Sequence, residues 1–352
     1  MLLQFIIALG LLVLFHEGGH FLAGLLFKFK IEEFGIGYPP RLVKLFTKNG
    51  IDYTLNWIPF GGFTRFKGEN DPQAQDGFYQ QNKWKRLGVL LAGPIMNLLI
   101  GILLFTLVFT NTGRAITDQV IIQTVEADTP AAAAGLMPGD RILRINETPV
   151  NSMETISNIV ADNLGKPISL VIERNGTEIT LQVTPRKEYP STQGPLGVVM
   201  TYPVEPLSFS ESVSSALQLA RYEGEELISL PGQLISGKVK AEDVRLVSPK
   251  GMYDIYAQVM TEEKADEAST KAQLLNILWF FGIISVALGY SNLLPIPGMD
   301  GGHILFLLPE LIINKKVPEK YESMINMIGM SILIMLMAWA FFQDIVNPIV
   351  LP

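Results

Sequence analysis

The chain has no cysteine, which excludes disulfides and thiolate metal sites alike. Histidine is almost as scarce, with 3 in 352 residues. Charged residues make up only 17%, the net charge is −7, and no basic patch is dense enough for nucleic acid. What is abundant is apolar: 48% of the chain, gathered in runs rather than spread evenly. Leu2–Phe27, Leu87–Phe109, Leu274–Leu294 and Met324–Phe342 each approach the roughly 20 residues needed to cross a hydrocarbon core. The first run has neither the basic start nor the small-residue cleavage site of a signal peptide, so it reads as a retained span.

Charge sets the expected orientation. Between the first two runs lie Lys28, Lys30, Arg41, Lys44, Lys48, Arg65, Lys67, Lys83, Lys85 and Arg86, and between the last two lie Lys315, Lys316 and Lys320. The long middle segment is acidic, with Glu223, Glu225, Glu226, Glu262-Glu263 and Asp266-Glu267. Basic loops stay inside, so the two basic loops are expected in the cytoplasm, and both termini and the middle segment on the other side of the membrane.

The three histidines all fall in or beside these apolar runs, where an ionisable side chain marks a functional site. His16-Glu17-Gly18-Gly19-His20 is an H-E-x-x-H. Two imidazoles four positions apart share one helix face and can grip one metal ion, with the intervening Glu placed as general base. With thiolates excluded, the third ligand must be oxygen or imidazole. Asp300, in Pro295-Ile296-Pro297-Gly298-Met299-Asp300-Gly301-Gly302-His303, is the best candidate, and His303 is its rival. The prolines and glycines there oppose a regular helix, and irregular backbone at membrane depth is tolerated beside a watery cavity. Asn292 is placed either to donate a hydrogen bond to substrate or to cap a helix end. This combination suggests zinc hydrolysis carried out inside a bilayer.

The remaining segments read as supports. Phe34–Phe46 and Ile51–Phe66 alternate apolar and polar residues around Lys48-Asn49-Gly50, a hairpin signal. The small sheet either covers the end of the first span or pairs with an extended substrate. Pro94 and Asn97, opening the second span in Ala92-Gly93-Pro94-Ile95-Met96-Asn97, are expected to serve packing. Strands over Val120–Val125, Arg141–Ile145, Ile168–Arg174 and Glu178–Val183 flank a short helix capped by Thr129, and a second helix covers Ser152–Asn163. This module resembles a PDZ domain, which implies either peptide binding by strand addition or a rigid spacer. Phe209–Ile235 is too polar to span; it reads as an amphipathic helix on the outer membrane surface or against the module. Lys238–Val259 has no readable pattern.

Taken together, His16–His20, Ala92–Asn97, the inserted module and Asn292–Gly302 resemble the site-2 proteases, intramembrane zinc metalloproteases, in the bacterial PDZ-bearing clade that cleaves anti-sigma factors. The resemblance covers nearly the whole chain. It implies that His16, His20 and Asp300 bind one zinc, that Glu17 activates water and that Asn292 contacts substrate. It also implies single-pass membrane proteins as substrates, cut after a first cleavage by another protease, or signal-peptide remnants. Two departures stand out. The family commonly has Phe where this chain has Gly18, and Leu where it has Met299. Neither removes a ligand.

The expected fold is a multi-pass α-helical membrane protein with four transmembrane helices, a cytoplasmic-side β-hairpin or sheet, and an inserted extracytoplasmic α+β PDZ domain. Its parts are 1–112 (spans one and two, with the hairpin at about 34–66), 115–203 (PDZ module), 204–272 (connecting region) and 273–352 (spans three and four). Two other classes fit less well: an inactive PDZ-bearing scaffold, against which Glu17 and Asp300 stand, and a zinc transporter, which would show paired repeats.

Overall fold

The computed structural model describes residues 1–69, 74–190, 193–240, 244–265 and 270–350. The acidic pair Asp266-Glu267 lies outside the described residues. The chain forms two compact units, 1–108 with 209–352, and 109–208.

In the first unit, helix α1 (Leu2–Leu26) leads into strands β1 (Ile31–Lys48) and β2 (Ile51–Phe66), followed by α2 (Lys83–Thr112). Asn49 and Gly50 both take positive φ, the type I′ geometry that Asn-Gly supplies in a tight hairpin. Both strands are long enough to fold back on themselves. Phe34 pairs with Tyr53 on one side and Thr64 on the other, while Lys44 pairs with Thr54. The two strands therefore behave as four segments in the order 41–48, 51–56, 31–36, 62–66, with 62–66 at one edge. Gly61 adopts φ 85° where β2 turns into that edge segment.

Glu33 pins the sheet. It is 3% exposed and accepts hydrogen bonds from Thr54 Oγ1 (2.7 Å), Arg65 (2.7 Å) and Arg41. Burial alone would raise its carboxyl pKa, but Thr54, Arg41 and Arg65 outweigh it and hold the group below the usual range. The stabilisation is therefore complete above the unfolded pKa of about 4.3 and is lost as pH falls through the lower folded value. Replacing Glu33 with Gln is expected to remove about 1–3 kcal/mol, and with it this part of the acid sensitivity, as read by thermal melts from pH 7 to pH 3 in detergent. Equal melting of Glu33→Gln and the parent at pH 7 would contradict the assignment.

The second unit holds β3 (Arg114–Ala115), β4 (Val120–Val125), α3 (Pro130–Ala133), β5 (Arg141–Ile145), β6 (Thr148–Pro149), α4 (Met153–Asp162), β7 (Ile168–Arg174), β8 (Thr177–Val183), β9 (Val198–Thr201) and β10 (Val204–Glu205). The main sheet runs β8-β7-β5-β4-β9, with β6 on β5, and β3 pairs separately with β10. Thr129 caps α3 and Ser152 caps α4, as Ser and Thr do where the first amides lack partners. The alternating apolar residues Val120, Ile122, Ile142, Ile145, Ile168, Leu170 and Ile172 form a buried core with Ile156 of α4. Asp140, 1% exposed, is held by two 2.7 Å contacts from Arg174 and by the amide of Met137.

The chain returns to the first unit with α5 (Phe209–Ile235), α6 (Pro249–Ala265), α7 (Thr270–Leu293), α8 (Asp300–Ile313) and α9 (Glu319–Val346). Helix α5 packs on α7, through a face the apolar pattern does not mark. Its buried residues are the small ones, Ser212, Ala216, Ala220 and Gly224, and the ring of Tyr290 fills the space a side chain at 224 would need. Close approach beats side-chain area here, whereas Leu217 stays 50% exposed. Helices α6 and α8 correspond to no sequence signal read above. Phe5 and Leu12 of α1, Tyr256 of α6 and Phe281 of α7 form one apolar cluster. Among the described residues, four helices are long and apolar enough to cross a membrane: α1, α2, α7 and α9.

A candidate metal centre between α1 and α8

The H-E-x-x-H lies on α1, where helical spacing turns His16 and His20 to one side. Both are nearly buried, at 9% and 8% exposure. Asp300 opens α8 from the opposite side. Its Oδ2 lies 3.1 Å from His16 Nε2 and its Oδ1 lies 3.4 Å from His20 Nε2. The two Nε2 atoms are 3.1 Å apart. One donor atom from each residue falls within 4.8 Å of the others.

Glycines make this convergence possible. Gly298 takes φ 94° and its N–H donates to Asn326 Oδ1. A Cβ at Gly301 would strike the carbonyls of Leu293 and Leu294, and one at Gly302 would strike that of Ile296. The chain can therefore fold tightly from α7 into α8 and deliver Asp300 at the helix start. On α1, Gly19 meets the carbonyl of Ala92, while a side chain at Gly18 would meet open space. Of the Gly-Gly pair, only Gly19 serves close approach.

Groups behind the ligands hold them. His20 Nδ1–H donates to the Val89 carbonyl at 2.8 Å, and Asn97 Nδ2 lies 3.3 Å from His16 Nδ1. Gly93 leaves room in front: an added Cβ there would press on His20 Nε2 and lie 2.8 Å from His16 Nε2. At the far end of α8, Glu310 pairs with buried Arg86 of α2, and Lys83 Nζ donates to the Glu310 carbonyl at 2.9 Å. These contacts tether the helix that carries Asp300.

The residues fit a divalent cation on this structure's own terms. Three lone-pair donors face one another, and Asp300 Oδ2 is buried without a hydrogen bond of good geometry, although it is close to His16. Such a cluster needs positive charge at its centre, and an N₂O set with held outer nitrogens is suited to zinc.

Beside the donors lies a cavity of about 430 Å³ lined by Glu17, His20, Phe63, Thr64, Asp300 and His303, among others. Edge segment 62–66 forms part of its wall. A Cβ at Gly62 would touch Glu17, and Thr64 Oγ1 donates to the Glu17 carbonyl at 3.0 Å. His303 is not among the converging donors; its Nδ1 lies 3.4 Å from Glu322 Oε1 and 3.4 Å from Asn326 Nδ2, both on α9. Asn292 lies in the last turn of α7 and is not one of the residues lining this cavity.

In the second unit, α4 and β9 enclose an apolar groove of about 320 Å³ lined by Ile156, Val160, Leu164, Leu196, Val198 and Met200. Among the described residues, β9 is the edge strand of its sheet, with one side unpaired. The strand reading above missed β9 and therefore missed the groove.

A paired imidazole site with a carboxylate ligand candidate and a second carboxylate at the cavity wall has the make-up of a metal-dependent hydrolase. The chain belongs to peptidase family M50, whose sequence profile matches residues 4–336. A Clostridium acetobutylicum protein named as a candidate zinc metalloprotease is 31% identical, the match covering 98% of this chain and 97% of the relative. Metalloprotease MmpA of Caulobacter vibrioides is 27% identical, with 98% and 95% covered. Among solved structures, the PDZ domain of a Listeria monocytogenes protein matches 25% of this chain and 92% of its own, at 18% identity and a TM-score of 0.22.

Proposed function

We propose that this protein is an intramembrane zinc metalloprotease of the site-2 type, which cuts a peptide bond within the membrane segment of single-pass proteins. One observation carries the reading: His16 and His20 from α1 and Asp300 from α8 converge on one point beside a cavity walled by Glu17. His16, His20 and Asp300 hold the metal. Zinc, when bound there, supplies Lewis acidity that makes a water a better nucleophile and polarises a carbonyl. Glu17 takes the proton of the attacking water and returns it to the leaving amine. The edge segment 62–66 binds the substrate backbone in extended form, because a helical substrate hides its carbonyls in its own hydrogen bonds. For Asn292, a substrate contact rests on the family resemblance alone.

In the proposed topology α1, α2, α7 and α9 span a bacterial inner membrane, with the basic loops in the cytoplasm and both termini outside. The exposed apolar faces support this: on α9, Met327, Ile334, Met335 and Phe342 are each more than 60% exposed. The division into 1–112, 115–203, 204–272 and 273–352 follows the same reading. The second unit is the extracytoplasmic PDZ module, and its groove accepts an extended peptide along β9. The substrates are anti-sigma-factor-like proteins or signal-peptide remnants, already trimmed by another protease.

The test is cleavage by purified protein in liposomes that contain a trimmed single-pass substrate. Chelation is expected to abolish the cut and added zinc to restore it. Cleavage that persists in metal-stripped protein would refute the proposal, and zinc flux without cleavage would favour a transporter.

A further inference from the structure

A metal-binding imidazole presents one ring nitrogen as a lone pair and carries its proton on the other. His20 satisfies this through a fixed partner. Its Nδ1 lies 2.8 Å from the Val89 carbonyl, which can only accept, so the proton resides on Nδ1 and Nε2 is left free. For His16 the partner is a side chain. Its Nδ1 faces the side-chain amide of Asn97, with Nδ2 3.3 Å away. Asn97 is 1% exposed, and its Oδ1 is buried with no hydrogen-bond partner. Its main chain is held in place, because Ser285 Oγ of α7 donates to the Asn97 carbonyl at 2.8 Å.

An amide can offer either a donor or an acceptor to the same neighbour by a half-turn of its plane. With Nδ2 toward the ring, His16 accepts at Nδ1 and carries its proton on Nε2, which faces Asp300 Oδ2 at 3.1 Å. With Oδ1 toward the ring, Nδ1–H donates to the amide, and Nε2 is free to ligate. The half-turn also gives the unpartnered Oδ1 a donor.

We propose that Asn97 is a positioning residue that sets the tautomer of His16, its amide oxygen accepting from Nδ1–H when zinc is bound. This rests on the zinc reading above. Asn97→Leu fills the space but offers no acceptor, whereas Asn97→Asp offers an acceptor in either orientation.

The experiment is zinc affinity of the purified full-length chain in detergent, by competition with a chromophoric chelator. Asn97→Leu is expected to weaken zinc binding about 10- to 100-fold, the usual cost of losing a group that orients a ligand, and Asn97→Asp to stay within a few-fold of the parent. A Leu variant equal to the parent would overturn the tautomer role and leave the metal site standing. If the Leu variant does not fold, the Asp variant decides: a tenfold loss there overturns the role, because the acceptor is intact. A parent chain that binds no zinc would overturn both readings.

Discussion

A Glu17→Gln variant binds zinc like the parent and no longer cuts its substrate. The two parts of this expected result come from different features of the site. Zinc retention follows because Glu17 is not one of the donors that converge at His16, His20 and Asp300. Gln has nearly the shape of Glu, and the Thr64 bond goes to the backbone carbonyl of residue 17, so the substitution leaves that link to β2 intact. Loss of cutting follows because an amide cannot take a proton from water. A positioned base contributes about 100- to 10,000-fold, and at least this loss is expected in cleavage rate. Metal content by atomic emission and cleavage of a labelled single-pass substrate would be measured on the same preparation. A variant with full zinc and more than a tenth of parental activity would remove Glu17 from the mechanism.

The second large effect is expected from one methyl group. Gly93→Ala places a Cβ against His20 Nε2 and 2.8 Å from His16 Nε2, the two nitrogens that would ligate the metal. Either ring must swing away, and both cannot then meet Asp300. Zinc affinity should fall about 10- to 100-fold, with activity lost in parallel, by analogy with the loss of a ligand's support. The helix itself should not suffer, since Ala is favoured over Gly by about 1 kcal/mol in a helix interior. A melt of the metal-free forms checks this. Loss of zinc with an unchanged metal-free melt is the expected pattern; normal zinc affinity would mean that the ligand nitrogens do not point at Gly93 when loaded.

The contrast between legible and hidden parts follows the reach of each signal. The types and spacing of His16, Glu17 and His20 are local, so one helical turn explains their placement. Asp300 could be singled out because it is a carboxylate in a proline- and glycine-rich break beside an apolar run, where irregular backbone suits a watery cavity. The turn at Asn49-Gly50 was legible for the same local reason. What was hidden depends on long-range contacts. Gly93 and Asn97 acquire meaning only when α2 lies against α1, and the sequence alone makes packing the simpler reading for Asn97. Helix α8 begins at a glycine-rich stretch that reads as a turn, yet tertiary contacts at Gly301 and Gly302 carry the chain straight into a helix. On α5 the small residues, not the leucines, face α7, an inversion of the ordinary apolar pattern. Asn292 is not among the residues that line the described cavity.

The placement of segment 62–66 beside Glu17 has a bearing on where substrates are cut. A strand laid along that edge presents alternate carbonyls to opposite sides, with a repeat of about 6.6 Å. Sliding a peptide by one residue exchanges its faces; sliding it by two restores them. The enzyme would therefore act as a ruler with two-residue graduations: when one substrate is severed at neighbouring places, the scissile bonds would share a parity.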